Sequence, residues 1–237
     1  MAIQKLQSSL ARIFRQRCFY LFLSILLLIV AAPFLTETLH GRVLVQAAEV
    51  LVLIASVAAV GRTTMPFVIA LLFGIPAFVF QSGITFGYGD SEMFRMYSNV
   101  FHAAFYLVAI VYLLGYVFSP DVMTDDKLFG AASVYLLVAV MFGYVYMAVQ
   151  LVNPPAFGVQ PGERPRPFYD LLYMSFGVLT SNGPGDVTPV GAKVRSIVIL
   201  EQIVGVLYVA ILIARLAGIY PPRRGRDGEQ PKSGGNS

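Results

Sequence analysis

The sequence predicts an all-α membrane protein with six transmembrane helices, and with a half-length helix and a glycine-rich loop between the fifth and the sixth. Three observations lead there. Hydrophobic residues make up 57% of the 237 residues and charged residues only 13%, which excludes an ordinary soluble domain. Several apolar runs reach the roughly 20 residues that a helix needs to cross the hydrocarbon core. One apolar segment, Phe168 to Thr180, is too short to cross yet stands before a long one. Behind it come Ser181, Asn182, Gly183, Pro184, Gly185 and Asp186. A short helix, a glycine-rich turn and a full helix form a re-entrant loop that dips into the bilayer and returns. Irregular backbone is tolerated at that depth only where it is buried in protein or lines a wet cavity. Gly183 and Gly185 free the backbone to take positive φ, so that successive carbonyls can point the same way.

Taken in order, residues 1–17 carry Lys5, Arg12, Arg15 and Arg17 and read as a cytoplasmic N-terminus. The apolar run from Cys18 to Leu35 is long enough to span, and its basic lead is too extended for a leader cleaved near Ala31-Ala32. Further spans are expected at 43–60, at 66–83 with Gly74 and Pro76 inside, and at 99–118, which completes a four-helix region over 18–120. No basic residue recurs at every third position there, so the gating charges of a voltage sensor are missing. Ser119-Pro120-Asp121 is a stop signal. A second region, 121–220, then holds an outer helix at 128–152, the short helix at 168–180, the loop at 181–186 and a long helix at 191–219. The glycine-, proline- and arginine-rich stretch 221–237 reads as a disordered cytoplasmic tail with no room for a ligand-sensing domain.

With the N-terminus inside, Arg42, Arg95, Arg164, Arg166, Lys193 and Arg195 fall outside, and the other eleven of the 17 basic residues fall inside. That asymmetry favours cytoplasmic N- and C-termini. Basic ends flanking membrane spans point to the lipid bilayer as a partner rather than to nucleic acid. Cys18 is the only cysteine, and His40 and His102 are the only histidines. No disulfide, metal-ligand spacing or catalytic constellation follows from them, and neither enzyme chemistry nor a cofactor is expected.

The stretch Tyr173 to Pro189, YMSFGVLTSNGPGDVTP, resembles the pore loop of potassium channels, whose filter reads Thr-Val-Gly-Tyr-Gly before an Asp. The helix from Arg195 to Arg215 resembles the inner helix of bacterial members with a single pore domain. The similarity runs from about Asp125 to Ile219. It implies a multi-pass protein of a bacterial-type plasma membrane and a homo-oligomer of four chains, each giving one quarter of a carbonyl ring. It also implies passive conduction of a monovalent cation, potassium or sodium, along Thr180 to Gly185, with Asp186 at the outer mouth. Two residues depart from the pattern: Asn182 replaces an apolar residue that packs behind the filter, and Pro184 replaces the Tyr. Proline has no N–H and no hydroxyl to brace the filter, so weak discrimination between potassium and sodium is expected. The same two residues motivate a second reading, a channel-fold protein that modulates others without conducting.

Several other residues carry expectations. Glu201 lies inside the last span, where a carboxylate must face protein or water. It is read either as support for the loop through Ser175, Tyr173 or loop backbone, or as a satisfied interhelical group. Gly205, one turn on, matches a bend-permitting glycine of the family and equally allows close helix packing. Asp170 near the start of the short helix reads as a capping or dipole partner. Glu49 is read as a structural polar contact or a residue that snorkels outward, and His102 as an interfacial residue. A more literal filter match, Thr85 to Asp90, would make a two-pore-domain subunit. The segment before it is a full span long, however, so a turn between two spans is expected instead.

Overall fold

The computed structural model describes residues 17–35, 38–60, 64–89, 91–120, 123–158, 165–183 and 185–219. The expectations placed on the N-terminal segment 1–16, on Asp90, on Pro184 and on the tail from 220 lie outside them. The described residues form seven α-helices: α1 (Arg17–Leu35), α2 (Leu39–Val60), α3 (Thr64–Thr85), α4 (Glu92–Val117), α5 (Asp125–Val152), α6 (Phe168–Leu179) and α7 (Ala192–Ile219). Five of them, all but α2 and α6, are long and apolar enough to cross a membrane. The apolar stretch found in α2, Val43–Ser56, is shorter.

Local chemistry sets the helix ends. Thr124 caps α5 by accepting the Lys127 N–H at 3.3 Å, and Asp125 and Asp126 occupy the first turn, where carboxylates suit the positive end of the helix dipole. Ser91 caps α4 in the same way, accepting the Phe94 N–H at 3.3 Å. That cap starts α4 seven residues before the expected position, because the polar first turns hide the helix from hydropathy. His102 therefore lies well inside the helix. It is 1% exposed, stacked on Tyr144 at 4.5 Å, with Nδ1 against the Ser98 carbonyl at 2.8 Å. This corrects its reading as an interfacial residue.

The alternative filter is the end of a helix. Thr85 sits in the last turn of the 22-residue α3. Gly87 takes φ +80°, and the N–H groups of Tyr88 and Gly89 both donate to the Gly83 carbonyl, at 2.8 and 3.2 Å. A left-handed residue closing back onto the helix is the ordinary way to satisfy terminal carbonyls.

Helix α5 is the centre of the packing. It contacts α1 and α4 on one side and α6 and α7 on the other, while α2 and α3 complete the layer behind α1 and α4. In its apolar window 61% of the residues are buried, against 11% for α7. The apolar surface of α7 is thus largely uncovered within one chain. Polar ties hold the ends of the bundle. Asp126 accepts the Cys18 N–H at 3.0 Å and the Tyr116 hydroxyl at 2.8 Å. Arg215 on α7 reaches the C-terminal end of α4, donating to the carbonyls of Phe118 at 2.8 Å and Ser119 at 2.5 Å. A guanidinium there meets both the free carbonyls and the negative end of the dipole.

Arg215→Met is expected to lower stability by about 1.5–2 kcal/mol, the lower part of the range for charge-assisted bonds, because the site is half-buried. Thermal unfolding in detergent measures this, and Arg215→Lys should recover part of the loss.

Candidate functional site

Helix α6 has 12 residues and buries Leu171, Leu172, Met174, Ser175, Val178 and Leu179, while Tyr173 stays exposed. Its N-cap, Pro167, supplies no side-chain bond; Asp170 in the first turn pairs instead with Arg166 at 3.7 Å. At the other end the chain turns back on itself. The Thr180 N–H donates to Phe176 and Val178, and the Ser181 N–H to the Val178 carbonyl at 3.0 Å. The Asn182 and Gly183 N–H groups both donate to Gly177, at 2.8 and 3.0 Å.

In a trans peptide the N–H of one residue and the C=O of the residue before it point in opposite directions. Three successive N–H groups, those of residues 181 to 183, aim at the end of α6. The carbonyls of Thr180, Ser181 and Asn182 therefore point away from it, towards the open side, and all three residues are exposed. Positive φ at residues 181, 183 and 185 keeps this up, with Ser181 at 62°, Gly183 at 92° and Gly185 at 66°. For Ser181 that conformation costs on the order of 1 kcal/mol. Gly183 breaks the series. Its carbonyl lies where a Cβ on Gly177 would fall, so it faces the helix.

The side chains around this loop differ in part from expectation. Asn182 does not pack behind it; its Nδ2 donates to Thr180 Oγ1 at 3.1 Å, and Thr180 Oγ1 in turn donates to the Phe176 carbonyl at 2.7 Å. Tyr173 lies against Gly185, within 3.1 Å of where a Cβ would stand. Asp186 is exposed and lines a groove with Asp170, Tyr173 and Val187. Beyond Asp186 the chain is stitched to the segment after α5. Gly158 N–H donates to Thr188 at 2.9 Å, Val190 N–H to Ala156 at 2.8 Å, and Arg166 Nη2 to Gly158 at 3.0 Å.

Behind the loop, Glu201 is 0% exposed. It is held by the hydroxyl of Ser175 on α6 at one oxygen and by that of Tyr146 on α5 at the other. Ser175 Oγ also lies 2.9 Å from the Ala139 carbonyl. A hydroxyl has one proton to give. If Ser175 gives it to Ala139, a group at position 201 that can donate to Ser175 and accept from Tyr146 completes the chain. Glu201 thus joins α7 to both α5 and α6. One turn on, Gly205 sits against the Leu179 carbonyl, and a Cβ there would overlap that oxygen. The same carbonyl accepts the Tyr135 hydroxyl at 3.1 Å. Helix α7 runs unbroken through Gly205.

The structure brings together Ser175 and Glu201, and sets Asp170 and Asp186 on one groove. It does not join Glu201 to Tyr173 or to the loop backbone. Sequence reasoning missed Tyr135, Tyr146 and Gly177. The signal for the first two was their spacing, since 11 residues is close to three helical turns and puts both on one face of α5. For Gly177 it was a glycine inside a helix, a choice that costs about 1 kcal/mol against alanine.

Residues 132–220 match the family described as ion channel. A relative, protein LctB of Bacillus caldotenax, is 34% identical over 94 residues, covering 38% of this chain and 69% of that protein. The chain belongs to the ion channel family. The ion channel match begins early in α5 and takes in α6, the loop and α7, so every residue of the site described above falls within it. No solved structure matches the chain. With its apolar helices, this ion channel is a multi-pass integral membrane protein.

Glu201→Gln should retain the bonds, since a carboxamide donates to Ser175 and accepts from Tyr146. Its unfolding temperature in detergent should stay near wild type. Glu201→Leu leaves the buried Tyr146 hydroxyl without a partner and should cost about 1–3 kcal/mol. Equal loss in both variants would mean that charge, not hydrogen bonding, holds the site together.

Proposed function

We propose that the chain is the pore-forming subunit of a cation channel. Six helices of each chain would span the membrane, α6 and its loop would re-enter from the outside, and four chains would surround one axis. The observation that carries this reading is the run of carbonyls from Thr180 to Asn182 on one open side of the loop. A ring of such carbonyls is how a filter replaces the water around an ion. One loop per chain supplies only part of a ring, and the uncovered apolar surface of α7 leaves room for the other copies. Thr180 to Gly185 would form the conduction path, with Asp186 and Asp170 at its outer mouth. Glu201, Ser175 and Gly205 would fix the distance between α7 and the loop without touching the ion. No resident cofactor or metal is needed beyond the permeating potassium or sodium.

The filter would discriminate weakly. Among the described residues three carbonyls, Thr180 to Asn182, are aligned, and the Gly183 carbonyl faces α6 instead of the open side. Purified protein in liposomes should pass monovalent cations, and cross-linking in mild detergent should stop at tetramers. No flux of any monovalent cation would favour a modulatory role, and a dimer as the largest species would contradict the four-fold ring.

The double change Asn182→Val with Pro184→Tyr should raise the potassium-to-sodium permeability ratio measured from bi-ionic reversal potentials. A wild-type channel that already selects potassium sharply would overturn this account of the two residues.

A further inference from the structure

Away from the loop, five helices line a half-open cavity of about 240 Å³. Glu49 and Gln46 of α2, Gln81 of α3, Asn99 of α4, Tyr144 of α5 and Tyr169 of α6 line it. A much smaller pocket beside it reaches Tyr106, and the two share Glu49, Tyr144, Phe168 and Tyr169 as lining residues.

The polar groups in the walls are not equally free. Gln46 Nε2 donates to Ser82 at 2.5 Å, and Gln81 Oε1 accepts from Ser98 at 3.1 Å. Glu49 has only the Tyr144 hydroxyl, at a long 3.4 Å, and among the described residues no lysine or arginine pairs with it. The Tyr106 hydroxyl is buried and has no hydrogen-bond partner among the described residues. A carboxylate on an apolar helix, with no countercharge among the described residues and facing a space rather than packed protein, suits a cation in that space.

The size and walls say which kind. The volume equals that of roughly eight water molecules, far more than a bare alkali ion fills. The described residues hold no group of three metal-ligating side chains. The walls near the carboxylate are instead aromatic, with Tyr144, Phe168 and Tyr169 around it. Tyr144 is itself stacked on His102 and lies against Phe168, so Phe168 and Tyr169 offer the ring surface, and one carboxylate beside such rings is chemistry that binds organic ammonium ions. We propose that this cavity is a binding site for a small organic ammonium ion, anchored on Glu49. Phe168 and Tyr169 begin α6, so an occupant touches the start of the helix whose other end carries the loop.

The site stands whether or not the pore conducts, and binding to the purified full chain tests it without any flux. Equilibrium dialysis with radiolabelled choline, in detergent and excess potassium chloride, should give saturable binding of one choline per chain. Glu49→Gln, which keeps an acceptor for Tyr144, should weaken binding about tenfold or more. Ile84→Trp, which fills the cavity from α3 and leaves the carboxylate in place, should abolish it. Both variants are compared at the elution volume of the wild-type protein. Binding that does not saturate, or an affinity unchanged in either variant, overturns the proposal.

Discussion

A segment without regular structure, set among apolar helices, must satisfy its own backbone polar groups, and the rest of the ion channel domain depends on how this is done at the end of α6. Water does not reach such groups cheaply, and an unmade bond there costs more than a made one gains. Here the helix end and the loop meet each other's needs. The carbonyls of Phe176, Gly177 and Val178 accept the N–H groups of residues 180 to 183. Leu179, the last carbonyl, is taken by Tyr135 from α5. With the N–H side of the loop spent on the helix, the carbonyl side is left facing outward. The handedness of the turn thus decides which polar groups the loop presents.

This arrangement demands close approach. Two glycines provide it from different directions, Gly177 within α6 and Gly205 on α7, each against a backbone carbonyl that a methyl group would displace. Glu201 sets the same spacing by hydrogen bonds rather than by contact, since its two oxygens reach hydroxyls on two different helices. The pair Gly205 and Glu201, one turn apart on α7, therefore fixes both how near that helix comes and where along its length. The family's glycine at such a place permits a bend, but in this chain the same residue explains packing directly.

Much of this was legible in the sequence, for physical reasons. The long helices announce themselves by hydropathy, and α6 by being too short to cross. The glycines at 183 and 185 predicted positive φ, which they adopt. What stayed hidden depends on three-dimensional partners. Ser181 takes φ 62° although nothing in a serine favours it; the bond from its N–H to Val178 holds it there. The Gly183 carbonyl faces α6 because Gly177 has no side chain, a relation between residues six apart that neither residue displays alone. The start of α4 was misplaced because Glu92, Arg95 and Ser98 break the apolar run, and the misplacement carried His102 to a membrane surface when it is buried beside Tyr144. Glu49 read as an isolated polar contact because sequence does not show that Gln46, Gln81 and Asn99 share its cavity.

The central claim is that the carbonyls of Thr180, Ser181 and Asn182 meet those of other copies around an axis and hold a cation there. Anomalous scattering from thallium, a potassium-sized monovalent ion, in crystals of the assembled protein tests it most directly. The account predicts anomalous peaks on a four-fold axis at the level of these three carbonyls, and none at the Gly183 carbonyl. An assembly whose loops do not converge on an axis, or one with thallium bound only elsewhere, would contradict it.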